Sequence, residues 1–439
     1  MRAFSGAFRS LTGKNLLSLM LANTLLLVGG PTSWNFYDVR YFIYGWYKAF
    51  TEGNLLRVYS YSTKVSYPPV PVLVFVFFHT LATSLSSGNV IIIRLIDKIP
   101  LILSFNAIYL LLKKRFGDKA GYLWLINPMG YMVIFGYQFD IITAMFLVLG
   151  YIFLIDGKYF LSGVAFSLAT LTKQLVGLVP FVSLLYLYKR KEFAAAKTFL
   201  AGLVLTTVVI IAPFFAATPV DFVNKVVLFH GTRLPQYLSL WAIPLYIVNY
   251  DYANLPGVYF SLWIPVFLVF VAFITYRLLR KETSLDESTL LKYIILLLIG
   301  SLLLNKVGNN NYYLWVVPFL AIFYSRNMET LKPIELATYI YVSIHVGFLY
   351  GFFTIFSSAV AGRPVFIFED QSWVSAEQLL ANSMGVDSLW FMIMLRLRSS
   401  QGWLTFFEIV DTASPVIHVF FAITYSLSLL YLYKQIWRR

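Results

Sequence analysis

Residues 258–276 read VYFSLWIPVFLVFVAFITY, a run with no Lys, Arg, Asp, Glu or His. At 1.5 Å per helical residue it reaches about 30 Å, the hydrocarbon thickness of a bilayer. Residues 199–215 (FLAGLVLTTVVIIAPFF) and 290–304 (LLKYIILLLIGSLLL) repeat the pattern on either side, the latter with one lysine. None alternates polar with apolar positions, so the short strands of a transmembrane barrel do not fit, and α-helices are the spanning elements. The expected fold class is all-α: a polytopic integral membrane protein with about twelve transmembrane helices.

Composition agrees. Hydrophobic residues make up 59% of the 439 and charged residues 12%, against about 25% charged in soluble domains. The net charge is +14, but the basic residues sit at the ends of apolar runs, where cytoplasmic anchoring accounts for them. No nucleic-acid partner is expected. Cysteine is absent and the four histidines, His79, His230, His345 and His418, have no metal-ligand spacing, so neither a metal site nor a cofactor is expected.

The basic runs Arg2/Arg9/Lys14, Lys113-Lys114-Arg115, Lys189-Arg190-Lys191, Arg277/Arg280/Lys281 and Lys434/Arg438/Arg439 belong on the cytoplasmic side, which requires an even number of crossings between each and the next. Between Lys14 and Lys113 lie apolar runs at 15–31, 68–86 and 90–112, one too many. Pro68, Pro69 and Pro71 at the head of the second remove backbone donors there and favour an irregular or interfacial entry. The expectation is a large external loop, 32–89, with interfacial helices. The crossings are then 15–31, 90–112, 120–135, 141–155, 159–171, 175–188, 197–215, 257–277, 290–304, 312–325, 334–356 and 414–433. Residues 1–439 form one transmembrane domain with further external loops at 216–256 and 357–413, and 237–250 is read as a second interfacial helix.

Ionisable groups in such a chain are costly unless paired or functional. Asp38 and Arg40, Gln138 and Asp140, Lys173, His230 and Arg233, and Lys306 with Asn309–Asn311 all fall on the expected outer face. Carboxylates with several cations at one membrane surface suit an anionic lipid-linked substrate whose phosphate is held while a hydroxyl is deprotonated. Each residue also has a plainer reading: Asp38 as a solvated cap, Lys173 as a snorkelling cation, His230 and Arg233 as headgroup contacts. Arg94, Asp97 and Lys98 share one helical face and read as a self-neutralising structural cluster.

Six segments together resemble the GT-C superfamily of membrane glycosyltransferases. Tyr37-Asp38-Val39-Arg40-Tyr41 resembles its acidic first-loop motif. Ser66-Tyr67-Pro68-Pro69-Val70 is similar to its YPP element. Asn127-Pro128 with Gly136-Tyr137-Gln138-Phe139-Asp140 resembles an NP…GQFD pattern, and Lys173 through Pro180 the K…P pattern after it. His230-Gly231-Thr232-Arg233-Leu234-Pro235, and Asn305-Lys306-Val307 through Tyr313-Leu314-Trp315-Val316-Val317-Pro318, resemble the later loops. The likeness covers residues 15–325 and is nearest the glycolipid-anchor mannosyltransferases and the glucosyltransferases of lipid-linked oligosaccharide assembly. Several relatives carry His-Glu where this chain reads Gly308-Asn309-Asn310-Asn311.

The resemblance implies an inverting, metal-independent transfer of mannose or glucose from a polyprenyl-phosphate donor, dolichyl phosphate being one such carrier. The acceptor is a hydroxyl on a glycolipid, lipid-linked glycan or protein at the outer or luminal face. Asp38 is the implied general base; Arg40, Tyr67, Gln138, Asp140, Lys173, His230, Arg233, Lys306 and Asn309 are the implied substrate-binding residues. The expected partners are membrane lipid, the donor and the acceptor. A prokaryotic plasma membrane is expected rather than an endoplasmic reticulum. The alternative is a transporter or flippase of lipid-linked or small polar substrates, which calls for related halves and a midplane site. Sugar, acceptor, linkage and oligomeric state are not encoded in any motif we find.

Overall fold

A computed structural model describes residues 13–28, 39–61, 66–367, 372–378 and 389–439. Seven of its helices are long and apolar enough to cross a membrane: Pro69–Ser86, Val90–Phe116, Phe193–Ala217, Gly257–Lys281, Glu287–Leu304, Pro333–Ala361 and Ser414–Arg438. Shorter apolar helices at Leu16–Leu27, Asp140–Ile155, Tyr159–Thr170 and Gln174–Lys189 join them. Helix satisfies the backbone within each segment, which is why these apolar runs adopt it in lipid. The described strands are two short ladders, one parallel, Gln236–Tyr237 with Val307–Gly308, and one antiparallel, Pro364–Ile367 with Ser372–Ser375.

Glu287–Leu304 is the central helix, buried over most of its length. Phe193–Ala217 and Gly257–Lys281 lie at the periphery and turn most of their side chains outward. Small residues bring neighbouring helices together where lipid gives no hydrophobic drive for association. Tyr159–Thr170 and Phe193–Ala217 meet so closely that a Cβ on Gly163 would lie 2.1 Å from the Phe199 carbonyl oxygen, and one on Gly202 2.2 Å from that of Phe160.

Three expectations change. Residues 120–135 are two helices, Asp118–Ile126 and Met129–Phe135, because Asn127-Pro128 interrupts the run. Residues 237–250 are not one interfacial helix but the short turns Leu240–Ala242 and Ile243–Ile247, closed by Asn249 and Tyr250 in left-handed conformations. Pro69–Ser86 is a regular helix from its first residue. Pro68 caps it, and Pro69 and Pro71 occupy the first turn, where an N–H has no intrahelical acceptor to lose. Its contacts keep it near one rim of the bundle. Val70 N donates to Leu171 O and His79 meets Asp97, one turn from the Arg94 carbonyl that accepts from Tyr137 Oη at 2.9 Å.

The helices sort their charges by end. Asp156, at the end of Asp140–Ile155, accepts from Arg115 Nε at 3.1 Å. Glu287 opens Glu287–Leu304 and pairs with Arg326, and Arg439 reaches Glu335 at 2.7 Å. Lys189 reaches Leu278 O at 2.8 Å and Arg190 reaches Leu285 O at 3.1 Å, just ahead of Glu287, so among the described residues the basic runs at 113–115, 189–191, 277–281 and 434–439 share one face. The opposite end of Asp140–Ile155 is Asp140 itself, about 24 Å away along the helix.

Candidate functional site

At that opposite rim the turn Gly136–Phe139 leads into the Asp140–Ile155 helix. Tyr137 holds a left-handed backbone, φ 53°, and its ring is pinned by the bond to Arg94 O and by Lys98 Nζ 4.4 Å from its centroid. That turn aims Gln138 and Asp140 at one neighbour, Asn311. Asn311 Nδ2 donates to Gln138 Oε1 at 2.8 Å and also to Asp140 Oδ2. Trp315 Nε1 donates to Asp140 Oδ1 at 2.9 Å, and Lys173 Nζ lies 3.6 Å from Oδ2. The carboxylate is 0% exposed, so its charge is balanced inside this cage.

Lys173 reaches the cage from just beyond the Tyr159–Thr170 helix, its N–H bonded to Ala169 O at 3.0 Å. Its ammonium faces the rings of Tyr67 at 4.4 Å, Phe139 at 4.6 Å and Tyr312 at 5.2 Å, a cation–π setting that offsets part of its desolvation. Tyr67 is delivered by the extended Pro68 step and by Tyr59 Oη, which donates to its carbonyl at 2.9 Å. Phe42 packs edge-on against Tyr67 at 5.2 Å, so the helical turn Val39–Tyr44 is docked on the same cage.

Asn311 and Trp315 belong to the 3-10 segment Asn310–Trp315. Five residues before Asn311, Lys306 starts a second cluster. Its Nζ donates to Gly231 O at 2.6 Å, and its carbonyl accepts from Gln236 N at 2.9 Å. The parallel ladder continues with Leu238 N to Gly308 O at 3.1 Å. Ser239 Oγ donates to Asn305 O at 2.7 Å, and Gln236 Nε2 to Asn309 Oδ1 at 3.4 Å. Arg233 is buried beside Lys306, its guanidinium 5.4 Å from the Phe229 ring. Burial first, and the Arg233 charge second, lower the Lys306 ammonium to about 8.

Thus Tyr67, Gln138, Asp140 and Lys173 are brought into one cage. Arg233 and Lys306 form a second cluster, and residues 305–315, with Asn309 between, connect the two. His230 lies on the Phe229–Thr232 turn next to Gly231, and Arg40 on the Val39–Tyr44 turn; their side chains are outside the described set, as is all of Asp38. Three cage members were not singled out as binding residues: Asn311, Tyr312 and Trp315. The signal for Trp315 was its place in the quoted Tyr313-Leu314-Trp315 motif, and for Asn311 its place in the asparagine run.

The Arg94/Asp97/Lys98 cluster differs from expectation. Asp97 directs both carboxylate oxygens at His79 Nδ1, 2.9 and 3.1 Å away, across to the neighbouring helix. Lys98, fully buried, has no hydrogen-bond partner among the described residues and instead lies over Tyr137 and Phe135.

Three comparisons with known proteins bear on this arrangement. The model of glycosyltransferase family 87 matches residues 66–304, more than half of the chain. No curated protein matches. Among solved structures, the crystal structure of ArnT from Cupriavidus metallidurans bound to undecaprenyl phosphate superposes with a TM-score of 0.50 at 13% identity, over 97% of this chain and 77% of that one. At that identity the likeness speaks for the fold, a many-helix membrane architecture. The family match runs from the Ser66-Tyr67-Pro68-Pro69 element through the Gln138–Asp140 turn, Lys173 and Arg233, and stops at Leu304. The chain belongs to glycosyltransferase family 87 and is a membrane glycosyltransferase of the GT-C superfamily.

Proposed function

We propose that the chain moves a hexose, mannose or glucose, from a polyprenyl-phosphate donor to a hydroxyl of a glycolipid, lipid-linked glycan or protein acceptor on the outer face of a prokaryotic plasma membrane. The observation that carries this reading is the 305–315 segment, which joins the caged Asp140–Lys173 pair to the Arg233–Lys306 loop. Cations far apart along the chain thereby share one rim, opposite the basic face that the positive-inside rule assigns to the cytoplasm. ArnT, whose crystal structure holds undecaprenyl phosphate, lends the donor chemistry plausibility for a shared fold.

In this reading Asp38 takes the acceptor proton as the hydroxyl oxygen attacks the anomeric carbon. The bond from that carbon to the phosphate oxygen breaks, and the electron pair leaves with the polyprenyl phosphate. A single displacement inverts the anomeric centre. Arg233 and Lys306 stabilise the charge growing on the departing phosphate without recourse to a metal ion. Asp140, having no exposed surface, acts through its neighbours: it fixes Lys173 and Asn311, and Asn311 orients Gln138 towards sugar or acceptor. An apolar groove of about 580 Å³ between Phe50/Leu55 and the Leu73–Leu81 face of the Pro69–Ser86 helix offers room for part of the lipid chain.

The test is incubation of purified protein in proteoliposomes with a radiolabelled polyprenyl-phosphate hexose and a mixed lipid-glycan acceptor. Label in a new glycosidic linkage, lost in Asp38→Asn with folding intact, is the expected result. Label moved across the bilayer without a new linkage would instead establish a carrier.

A further inference from the structure

The segment between the Pro333–Ala361 and Ser414–Arg438 helices lies beyond the family match and takes no part in the chemistry above. Its helix Gln401–Thr412 meets Ser414–Arg438 at Ala413. Ala413 N closes the first helix on Ile409 O at 3.0 Å and Ile417 N opens the second on Ala413 O at 2.9 Å; Ala413 itself, at ψ 2°, lies outside both helices, and Pro415 has no N–H to carry the ladder across. The 25 residues of Ser414–Arg438 already reach about 37 Å, more than the roughly 30 Å of hydrocarbon. Gln401–Thr412 therefore begins at headgroup level.

At about 100° per residue this helix divides into three faces. Phe407 and Val410 are buried, Phe407 against Phe352 and Phe356; next to them Asp411 Oδ1 accepts from Ser358 Oγ at 2.6 Å. One exposed flank is polar: Thr405, Glu408 and Thr412. The other is apolar: Phe406 and Ile409, exposed by 44% and 65%, while Trp403, exposed by 52%, sits one turn before Phe407 on the strip between the flanks. The next helix turns Val416, Phe420 and Ile423 outward, the apolar stripe of a membrane span. Lipid covers that stripe, and the flank meets the same lipid surface because its helix joins the span at headgroup level through the non-helical Ala413. The preceding helix, Leu389–Arg398, adds exposed Met392 and Leu395. Between the two helices a pocket of about 280 Å³ is lined by Ile393, Arg396, Leu397, Ser400 and Trp403.

We propose that the Leu389–Arg398/Gln401–Thr412 hairpin beds into the leaflet on the reaction face, with Trp403, Phe406 and Ile409 at the acyl boundary and Arg396 with Ser400 binding the phosphate of an anionic phospholipid. An interfacial helix needs an apolar side towards acyl chains and a polar side towards water, and tryptophan and arginine are the side chains favoured at that depth. The placement of the face relative to the cell rests on the topology above; the contact with lipid does not.

The absence of cysteine allows a direct test. Thr405→Cys, Phe406→Cys, Glu408→Cys and Ile409→Cys, each carrying a nitroxide, are reconstituted as full chains in nanodiscs of phosphatidylglycerol and phosphatidylethanolamine. Expected is a severalfold excess of collisions with oxygen over a water-soluble nickel chelate at 406 and 409, and the reverse at 405 and 408. Nickel access at all four positions overturns the proposal. Shielding of 406 and 409 from both reagents also overturns it and assigns the flank to a protein partner. Replacing phosphatidylglycerol by phosphatidylcholine moves the 409 label shallower in the parent chain and leaves it unmoved in Arg396→Gln; no response in the parent chain overturns the anionic-headgroup assignment. None of these readouts depends on sugar transfer.

Discussion

Asp140 is held by two hydrogen-bond donors, Asn311 and Trp315, and by the ion pair with Lys173, and that arrangement makes its replacement informative. Asp140→Asn leaves the Lys173 ammonium buried beside an amide, a loss of about 3–5 kcal/mol by the cost of breaking one side of a buried ion pair. Lys173→Met in the same chain removes the stranded cation. The double variant should therefore recover much of the stability, as urea unfolding in micelles will show, without recovering transfer. Equal instability of single and double variants would mean the pair is not coupled. Lys306 makes a pH prediction. Its value in the folded protein, about 8, lies below the ordinary lysine value, so the ammonium is present below that pH and lost above it. Phosphate affinity should be full on the acid side and decline as pH rises through 8, while the stability of the ligand-free protein gains between 8 and the ordinary lysine range as the cost of the buried charge disappears. Titration of donor KM against pH checks this, and Lys306→Arg should abolish the inflection. Asp140, Lys173 and Lys306 were legible in the sequence because an ionisable group stands out in so apolar a chain. Trp315 was not, since among ten tryptophans an interfacial belt explains any one of them equally well. Its role comes from an indole N–H aimed across the fold at a residue 175 positions away.

Between elements the parallel ladder of Gln236–Tyr237 with Val307–Gly308 joins the two clusters. A side chain at 308 cannot be accommodated: its Cβ would lie 2.2 Å from Ser239 N and 2.6 Å from Leu238 C, both backbone atoms. Gly308→Ala should therefore release the 231–239 loop, raising donor KM while the Asp140 cage persists. Trypsin should then cut at Arg233, which is only 7% exposed in the intact fold, faster than in the parent chain; an unchanged cleavage rate would show that the ladder does not hold the loop. Two-residue ladders of this kind have no periodicity to read, which is why residues 237–250 looked like an apolar helix. Long apolar runs were readable because lipid enforces helix on them. The Pro69–Ser86 element shows the limit of that reading: composition gave its span, but the prolines at its start fit the first turn instead of disrupting it.

For the molecule as a whole, the two faces of the bundle divide the charges. One gathers Arg115, Asp156, Glu287, Arg326, Glu335 and Arg439 into ion pairs; the other carries the Asp140 cage and the Arg233–Lys306 loop. The basic runs in the sequence were enough to anticipate this division, because positive anchors are local signals. The convergence of residues 67, 138–140, 173, 233 and 306–315 was anticipated only through motif order, since no periodicity encodes contacts between segments so far apart. The central claim is that this rim grips a lipid phosphate. Its most direct test is the affinity of the purified protein for undecaprenyl phosphate, measured for the parent chain, Arg233→Gln, Lys306→Gln and, on the opposite face, Arg326→Gln. Each rim substitution removes a charge-assisted hydrogen bond and should weaken binding roughly tenfold or more, with Arg326→Gln unchanged. The same affinity in all four proteins would contradict the account.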